Sequence, residues 1–431
     1  MLIEGVPRLW IYNAGIDKAW QTEKQGMKKI NNPKEQFILN AQSELFIFLC
    51  EEFDYLVLFK IPNYEFIEDM KRFGIKEPKF ILLPKGEKTI SELFSYCLDN
   101  VEKLEKIKIN DVVYTPYILS VQDEDNAKKI GIPIYGKNSE IVKQINDKTF
   151  IREISLKHNF PTIPGFICDS REKLLDSAKL LIKNGCEKFC IKEPFNSAGK
   201  GVFFIRDKKQ LDLFSKRIQF EGEKFSVVLE KWIDNKKDIN YQIEVLEDGE
   251  VNFIGITEQI ISITSYKGTV YPADISLEQE NEYKKYAKLI GTILHKMGFV
   301  GVVGIDSIIT SDNKIIPMIE INARINQSTF YLKLGNYFRK KDKRIIFRSY
   351  DINTKTELNY SLLKQYLTDN NLYFDGNRGV IIINSSCLSI YKNNDETYFS
   401  RVYLAYIDRS VSSKELLINS IDKAIAIIKE L

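Results

Sequence analysis

The sequence predicts an α/β domain followed by α+β lobes, and three observations predict it. Over residues 1–140, short β-rich apolar runs alternate with helical patterns, the signature of a sheet with crossover helices. From Gly165 to about Ile233, strand and helix patterns mix in an α+β order. Around Asp306, two apolar runs flank the polar turn Ser311-Asp312-Asn313, as in a β-hairpin.

In the first region Leu9–Tyr12, Tyr55–Phe59, Phe80–Leu83 and Val112–Tyr114 read as strands, and segments near 35–50, 64–74, 88–106 and 120–130 as helices. The order is Rossmann-like, but no G-x-G-x-x-G follows the first strand, so a scaffold or substrate-side domain is expected. Asn146-Asp147-Lys148 starts a helix to about His158, and Pro161 and Pro164 break it. The next lobe reads as a strand, a helix (171–184), strands at 188–193 and 202–205, a helix (208–219) and a strand at 226–231. A hairpin follows, from Ile239–Val245 through Glu247-Asp248-Gly249 to Val251–Ile261. Strand alternation puts Ile239, Tyr241, Ile243 and Val245 on one face and Asn240, Gln242 and Glu244 on the other. A long helix covers 278–297 and Gly298 ends it. The last ninety or so residues read as strands near 344–350, 378–385 and 401–407 and a helix at 412–430.

The 431 residues suffice for two or three domains. Hydrophobic residues at 44% and charged residues at 28% are ordinary for a water-soluble globular chain. The 62 basic and 59 acidic side chains nearly cancel, and the net +3 gives no argument for nucleic acid or an anionic membrane as partner. No apolar run reaches the ~18 residues of a membrane span, and the N-terminus lacks a secretory pattern. Six scattered cysteines without a C-x-x-C pair, and only two histidines, argue against a zinc site or a disulfide framework. A cytoplasmic enzyme with buried free thiols is expected.

Chemistry concentrates in the segment Gly304–Arg324. Glu320 and Asn322 share a face by the period of two, and Asp306 can face them from the partner strand. Three oxygen-bearing side chains there suit Mg²⁺, which takes carboxylates plus phosphate oxygens. Arg324, one further step of two along the strand, adds a guanidinium. The apolar neighbours Ile305, Ile308, Ile319 and Ile321 argue against full exposure. Lys192 ends a strand that runs into the small-residue loop Ser197-Ala198-Gly199-Lys200-Gly201, whose backbone N–H groups can approach phosphate oxygens. Read alone, Lys148 is a solvated surface charge. The stretch from Glu230 through Lys231, Trp232 and Ile233 can offer backbone groups to an adenine edge, and Asp238 can hold ribose hydroxyls.

In this order, Lys148, Lys192 with its loop, Glu230–Ile233, Asp306 and Glu320-x-Asn322-x-Arg324 resemble the ATP-grasp superfamily over about residues 140–335. The resemblance implies two α+β lobes enclosing ATP: residues 141–335 as the catalytic lobes, a small mobile lobe at about 162–232, and 336–431 completing the large lobe. It implies that Lys148 and Lys192 hold ATP phosphates, that 197–201 is a flap, that Glu230–Ile233 takes adenine and Asp238 ribose, and that Asp306, Glu320 and Asn322 hold Mg²⁺, with Mn²⁺ as an alternative. The segments Tyr114-Thr-Pro-Tyr-Ile118, Ile130-Gly-Ile-Pro133, Glu258–Ala273 and Glu320–Thr329 resemble the pheganomycin-type peptide ligases, in which a Rossmann-like pre-ATP-grasp domain (here 1–140) precedes the catalytic lobes.

The implied reaction is ATP-dependent amide formation. A small-molecule carboxylate is phosphorylated to an acyl phosphate, and an amine then displaces phosphate, Lys192 and Arg324 acting catalytically. Amino acids or short peptides are the expected substrates, and a homodimer stays open. The competing readings are ligation of a carrier-bound acyl group, a non-ligase phosphotransferase and an ATP-binding regulatory protein. The absence of H-R-D and D-F-G strings speaks against a protein kinase.

Overall fold

Four parallel strands open the chain in a computed structural model that describes residues 5–16, 20, 34–84, 88–99, 112–195, 201–220 and 225–431. They are β1 (Arg8–Ile11), β2 (Tyr55–Leu58), β3 (Lys79–Leu82) and β4 (Val113–Pro116), in the order β3-β2-β1-β4. Their crossovers hold helices α1 (Glu35–Ala41), α2 (Tyr64–Arg72) and α3 (Ile90–Asp99), and α4 (Val121–Ile130) follows β4. This is the expected α/β domain. One difference is that the segment near 35–50 is not a single helix. It passes from α1 into a 3-10 helix over Gln42–Phe48, every residue of which is buried, and Ser43 Oγ bonds back to the Asn40 carbonyl at 2.7 Å. Residues 100–106 of the third expected helix lie outside the described residues.

Two helices lead out of this domain, α5 (Ser139–Ile145), unmarked in the sequence reading, and α6 (Lys148–Lys157). Asp147 caps α6 by accepting the Thr149 amide at 2.9 Å, which fixes where the helix begins and so where Lys148 sits. The small lobe is an antiparallel sheet of β5 (Gly165–Cys168), β6 (Phe189–Lys192), β7 (Val202–Ile205) and β8 (Val227–Lys231), in the order β5-β8-β6-β7. Helices α7 (Arg171–Lys183) and α8 (Lys208–Arg217) bury Leu174, Leu181, Leu211 and Phe214 against Phe189 and Leu229.

The largest sheet gathers β9 (Lys237–Val245), β10 (Val251–Ser262), β11 (Ser265–Tyr271), β12 (Gly301–Ile309), β13 (Ile315–Asn322), β14 (Lys343–Thr354), β15 (Gly379–Ile382), β16 (Tyr391–Lys392) and β17 (Tyr398–Arg409). Its order is β13-β12-β9-β10-β11-β14-β17-β15, with β16 on β17, so the C-terminal strands continue the sheet that carries the Asp306 hairpin. One face of β9 buries Ile239, Tyr241, Ile243 and Val245 with Tyr283, Ala287 and Ile290 of α9 (Leu277–Lys296), as alternation predicts. Helix α10 (Gln327–Arg339) packs on β11 and β14 and against the 3-10 helix of the first domain. Sequence periodicity did not mark it, because it is buried around much of its circumference. A Cβ on its Gly335 would lie 2.7 Å from the Tyr271 ring, so glycine is needed for that approach. Helices α11 (Tyr360–Asp369), also unmarked in the sequence, and α12 (Lys414–Ile428) complete the chain.

Among the described residues no helix is long and apolar enough to cross a membrane. Cys50, Cys168, Cys186, Cys190 and Cys387 are free and buried.

Candidate functional site

The β12–β13 hairpin sets the first half of the site. Asp306 stands directly across from Glu320, and Gly304 across from Asn322. Asp306 is half-buried among amide donors: Oδ1 accepts Asn240 Nδ2 at 2.8 Å and Gln259 Nε2 at 3.1 Å, and Oδ2 accepts Asn322 Nδ2 at 3.2 Å. Burial raises its carboxyl to about 6, Glu320 repulsion adds to the rise, and the Asn240 bond opposes it. A Cβ on Gly304 would meet Asn326 Nδ2 at 1.7 Å, so only glycine lets the start of α10 close on this strand.

Arg324 is reached differently from the sequence expectation. β13 ends at Asn322, and Arg324 lies past it on a bend, where its amide bonds to the Asn322 carbonyl at 2.7 Å. The guanidinium still arrives at the site: Nη2 donates to Asn322 Oδ1 at 2.8 Å and Nη1 to the Tyr117 hydroxyl at 2.8 Å.

The second half comes from α6 and the small lobe. Lys148 is only 3% exposed, which corrects its reading as a solvated charge: the Asp147 cap and a bond from its amide to the Pro194 carbonyl turn it inward. Its Nζ lies 2.9 Å from Glu320 Oε1. One helical turn on, Arg152 places Nη1 2.6 Å from Glu230 Oε1 and Nη2 on the carbonyls of Ile163 and Gly165. Lys192 Nζ lies 2.7 Å from Glu230 Oε2. Burial pulls the Lys192 ammonium down, but Glu230, Cys190 and Glu320 outweigh it and the net direction is up. A cleft lined by Lys148, Arg152, Lys192 and Glu230 runs between α6, the small lobe and β13.

Glu230 is thus the centre of a buried ion cluster, and its carboxylate faces Arg152 and Lys192. The chain after it is tied to both sides: the Lys231 amide bonds to the Pro164 carbonyl and the Trp232 amide to the Lys188 carbonyl, each at 2.9 Å. Trp232 packs on Phe204 with centroids 4.5 Å apart, and Ile233 packs against Ile163, Ile308 and Ile316. Asp238 stands near the start of β9, opposite Gln259 and Ile308, and pairs with Lys236. Gly201 opens the approach to β7, its carbonyl accepting the Glu193 amide. Ser197, Ala198 and Gly199 lie outside the described residues.

The structure therefore brings Asp306, Glu320, Asn322, Arg324 and Lys148 into one chain of contacts, and Lys192, Glu230 and Arg152 into a second beside it. Sequence reasoning missed Arg152, Asn240, Gln259 and Tyr117. Arg152 carried a signal, since a basic residue four after Lys148 falls on the same helix face. Asn240 carried another, as one of three polar residues, with Gln242 and Glu244, on the second face of a strand whose first face is apolar. The donor set fits a divalent cation that also takes phosphate oxygens: two carboxylates and an amide face one another, and the hydrogen bonds to Asp306 come from neutral amides, with the Arg324 charge nearby. Among the described residues no three His, Cys, Asp or Glu side chains group into a protein-only cage.

Residues 180–322 match the family model of L-aspartate–L-methionine ligase, ATP grasp. The chain is 26% identical to the [butirosin acyl-carrier protein]–L-glutamate ligase of Niallia circulans over 83% of this chain and 81% of that one. It is 25% identical to the N5-carboxyaminoimidazole ribonucleotide synthase of Haemophilus influenzae over 32% of this chain and 35% of that one. Among solved structures it is similar to the biotin carboxylase of Campylobacter jejuni (TM-score 0.58, 13% identity, 98% of this chain and 91% of that one). It is also similar to the ADP complex of N5-carboxyaminoimidazole synthetase from Staphylococcus aureus (TM-score 0.53, 14% identity, 91% of this chain and 96% of that one). The fold is the ATP-grasp fold.

Proposed function

We propose that this chain, an ATP-grasp enzyme, is an ADP-forming carboxylate–amine ligase that joins an amino acid to an amine through an acyl phosphate. The observation that carries the reading is the half-buried Asp306–Glu320–Asn322 face, with Lys148 in contact with it and Lys192 across the cleft. A cation held by Asp306, Glu320 and Asn322 would neutralise phosphate oxygens during transfer. Lys148, drawn from Glu320, and Lys192, held beside Glu230, offset the charge that remains. Backbone groups of 230–233 and the Asp238 carboxylate are assigned to adenine and ribose, and Ser197, Ala198, Gly199 and Gly201 to the phosphate flap. Arg324, fixed beside Asn322, is assigned to the oxygens of the acyl phosphate and of the tetrahedral species that the amine forms. Phosphoryl transfer of this kind asks for positioning and electrostatics more than for covalent help.

The substrate class follows from the relatives. Both the matched family model and the carrier-protein ligase name an acidic amino acid, so L-glutamate and L-aspartate are the first acyl donors to test. The acceptor is a small amine in the main reading. The carrier-protein relative, spanning most of both chains, favours a second reading in which the acyl group is loaded onto a carrier arm. The test is a matrix of carboxylates against amines, and against a carrier protein bearing its prosthetic arm, read by phosphate release and product mass. An amide with one ADP and one phosphate per turnover supports the first reading. Mass added to the carrier alone supports the second. AMP formation would overturn both.

A further inference from the structure

The motif Tyr114-Thr-Pro-Tyr117-Ile118 belongs to the first domain, yet its second tyrosine ends at the chemistry of the catalytic lobes. In the order β3-β2-β1-β4, the neighbours β1 and β4 flank the point where the connections change direction, and the crevice beyond their carboxyl ends is where such sheets receive ligands. Tyr117 is the first residue past β4 at that point. Its amide bonds to the Ile11 carbonyl at 2.8 Å, and its own carbonyl accepts the Ile325 amide at 3.1 Å, so it is tied both to β1 and to the segment after Arg324. Asn13 locks the next residue with bonds to the Ile118 amide (3.0 Å) and carbonyl (2.8 Å). The ring is held by Tyr12 at 4.8 Å and stacks on Phe330 of α10 at 6.4 Å. Its hydroxyl oxygen accepts Arg324 Nη1 at 2.8 Å, and the guanidinium carbon lies 5.3 Å from its ring centroid.

We propose that Tyr117 is the positioning residue for Arg324, so that the first domain sets the plane of the arginine that faces the acyl group. A guanidinium is a planar fork, and gripping two of its nitrogens fixes both its position and its tilt. Asn322 grips Nη2, and Tyr117 grips Nη1 at 2.8 Å, closer than the Ile325 carbonyl that also accepts it at 3.3 Å. The inference rests on the role assigned to Arg324 above. Tyr117 itself need not touch substrate.

The test uses the full chain and Tyr117→Phe, which keeps the ring and removes the hydroxyl. Two readouts are taken with Mg·ADP as the nucleotide probe: Mg·ADP affinity by calorimetry, and the rate at which phenylglyoxal modifies Arg324, followed by peptide mass. Affinity and melting temperature are expected to stay as in the parent, and Arg324 modification to quicken at least severalfold. With a donor–acceptor pair found in the matrix above, kcat is expected to fall about tenfold, the scale of one hydrogen bond to a charged group. That loss should vanish in an Arg324→Ala background. An unchanged Arg324 modification rate, or kinetic losses that simply add in the double variant, would overturn the proposal while leaving the ligase reading standing. An Arg324→Ala variant with parental kcat would instead remove the role of Arg324, and the role of Tyr117 with it.

Discussion

Asp306 on the large sheet, half-buried, and Glu230 in the small lobe, buried, are two acids beside one cleft, and they are compensated in opposite ways. Glu230 lies between two cations, Arg152 at 2.6 Å and Lys192 at 2.7 Å. Asp306 accepts from three neutral amides and also faces Glu320. Burial lifts its carboxyl to about 6. A buried carboxylate paired directly with cations is balanced and acts as a structural anchor, while one hydrogen-bonded by amides, with only the more distant Arg324 charge to offset it, leaves negative charge for an incoming cation to satisfy. The contrast separates the two halves of the site. The Glu230 side holds Lys192 in place, and the Asp306 side is the one proposed to take a divalent ion. Lys148 lines the cleft with Glu230 and Lys192 and pairs its ammonium with Glu320, so it stands between the two halves.

The contrast breaks most sharply at Asp306. Asp306→Asn should lose turnover on the order of a thousandfold or more, and Mn²⁺ binding measured by paramagnetic resonance in the presence of ADP should disappear with it, because a charged metal ligand is gone. Unaltered Mn²⁺ binding would end the assignment. Next in size is Arg324→Ala, expected to lower kcat ~100- to 1000-fold, as loss of an oxyanion donor does elsewhere. Steady-state phosphate release checks it, and a near-parental rate would count against the role. Glu230→Gln should act on stability rather than on metal binding. Two buried cations lose their counter-charge, so a loss of about 3 kcal/mol is expected in denaturant titration, with Mn²⁺ affinity retained. Lys148→Met sharpens the bridge between the halves: with its cationic partner removed, Glu320 should bind Mn²⁺ without nucleotide more tightly, by a few-fold, whereas Mg·ATP should bind more weakly. Tightening of both, or weakening of both, would contradict the exchange.

The smallest effect concerns another acid, the buried Asp123 in the first domain. It accepts from Ser91, Ser120, Tyr114 and Asn13, and burial still raises its carboxyl to about 6. The folded state therefore holds this proton at pH values where the unfolded chain, with a carboxyl near 4, has released it. Its contribution to stability is present in full below about pH 4 and is lost as pH rises through about 6. Asp123→Asn should flatten that slope in melting curves between these values, and an unchanged slope would show that another group sets it.

Much of this was legible in the sequence where local pattern decides. The β12–β13 hairpin followed from two apolar runs and a polar turn, and Asp306 fell opposite Glu320 as the period of two requires. Helix α6 followed from its Asp cap, and the first domain from its alternating runs. What stayed hidden depends on contacts distant in sequence. Arg324 leaves the strand period at Asn322 and is placed by Tyr117, 207 positions earlier. The burial of Lys148 comes from a cap, a bond to Pro194 and a partner on β13, none of which marks the residue itself. Helix α10 is apolar around much of its circumference, so no single face announced it. The family resemblance supplied what local pattern could not, by joining Lys148, Lys192 and the hairpin into one order.

A crystal grown with ADP and Mn²⁺ and measured at an anomalous wavelength tests the contrast most directly. The account predicts a manganese peak at coordination distance from Asp306, Glu320 and Asn322, with Lys148 turned from Glu320 toward phosphate and Glu230 still paired with Arg152. A peak at Glu230, or nucleotide bound with the metal remote from Asp306, would contradict it.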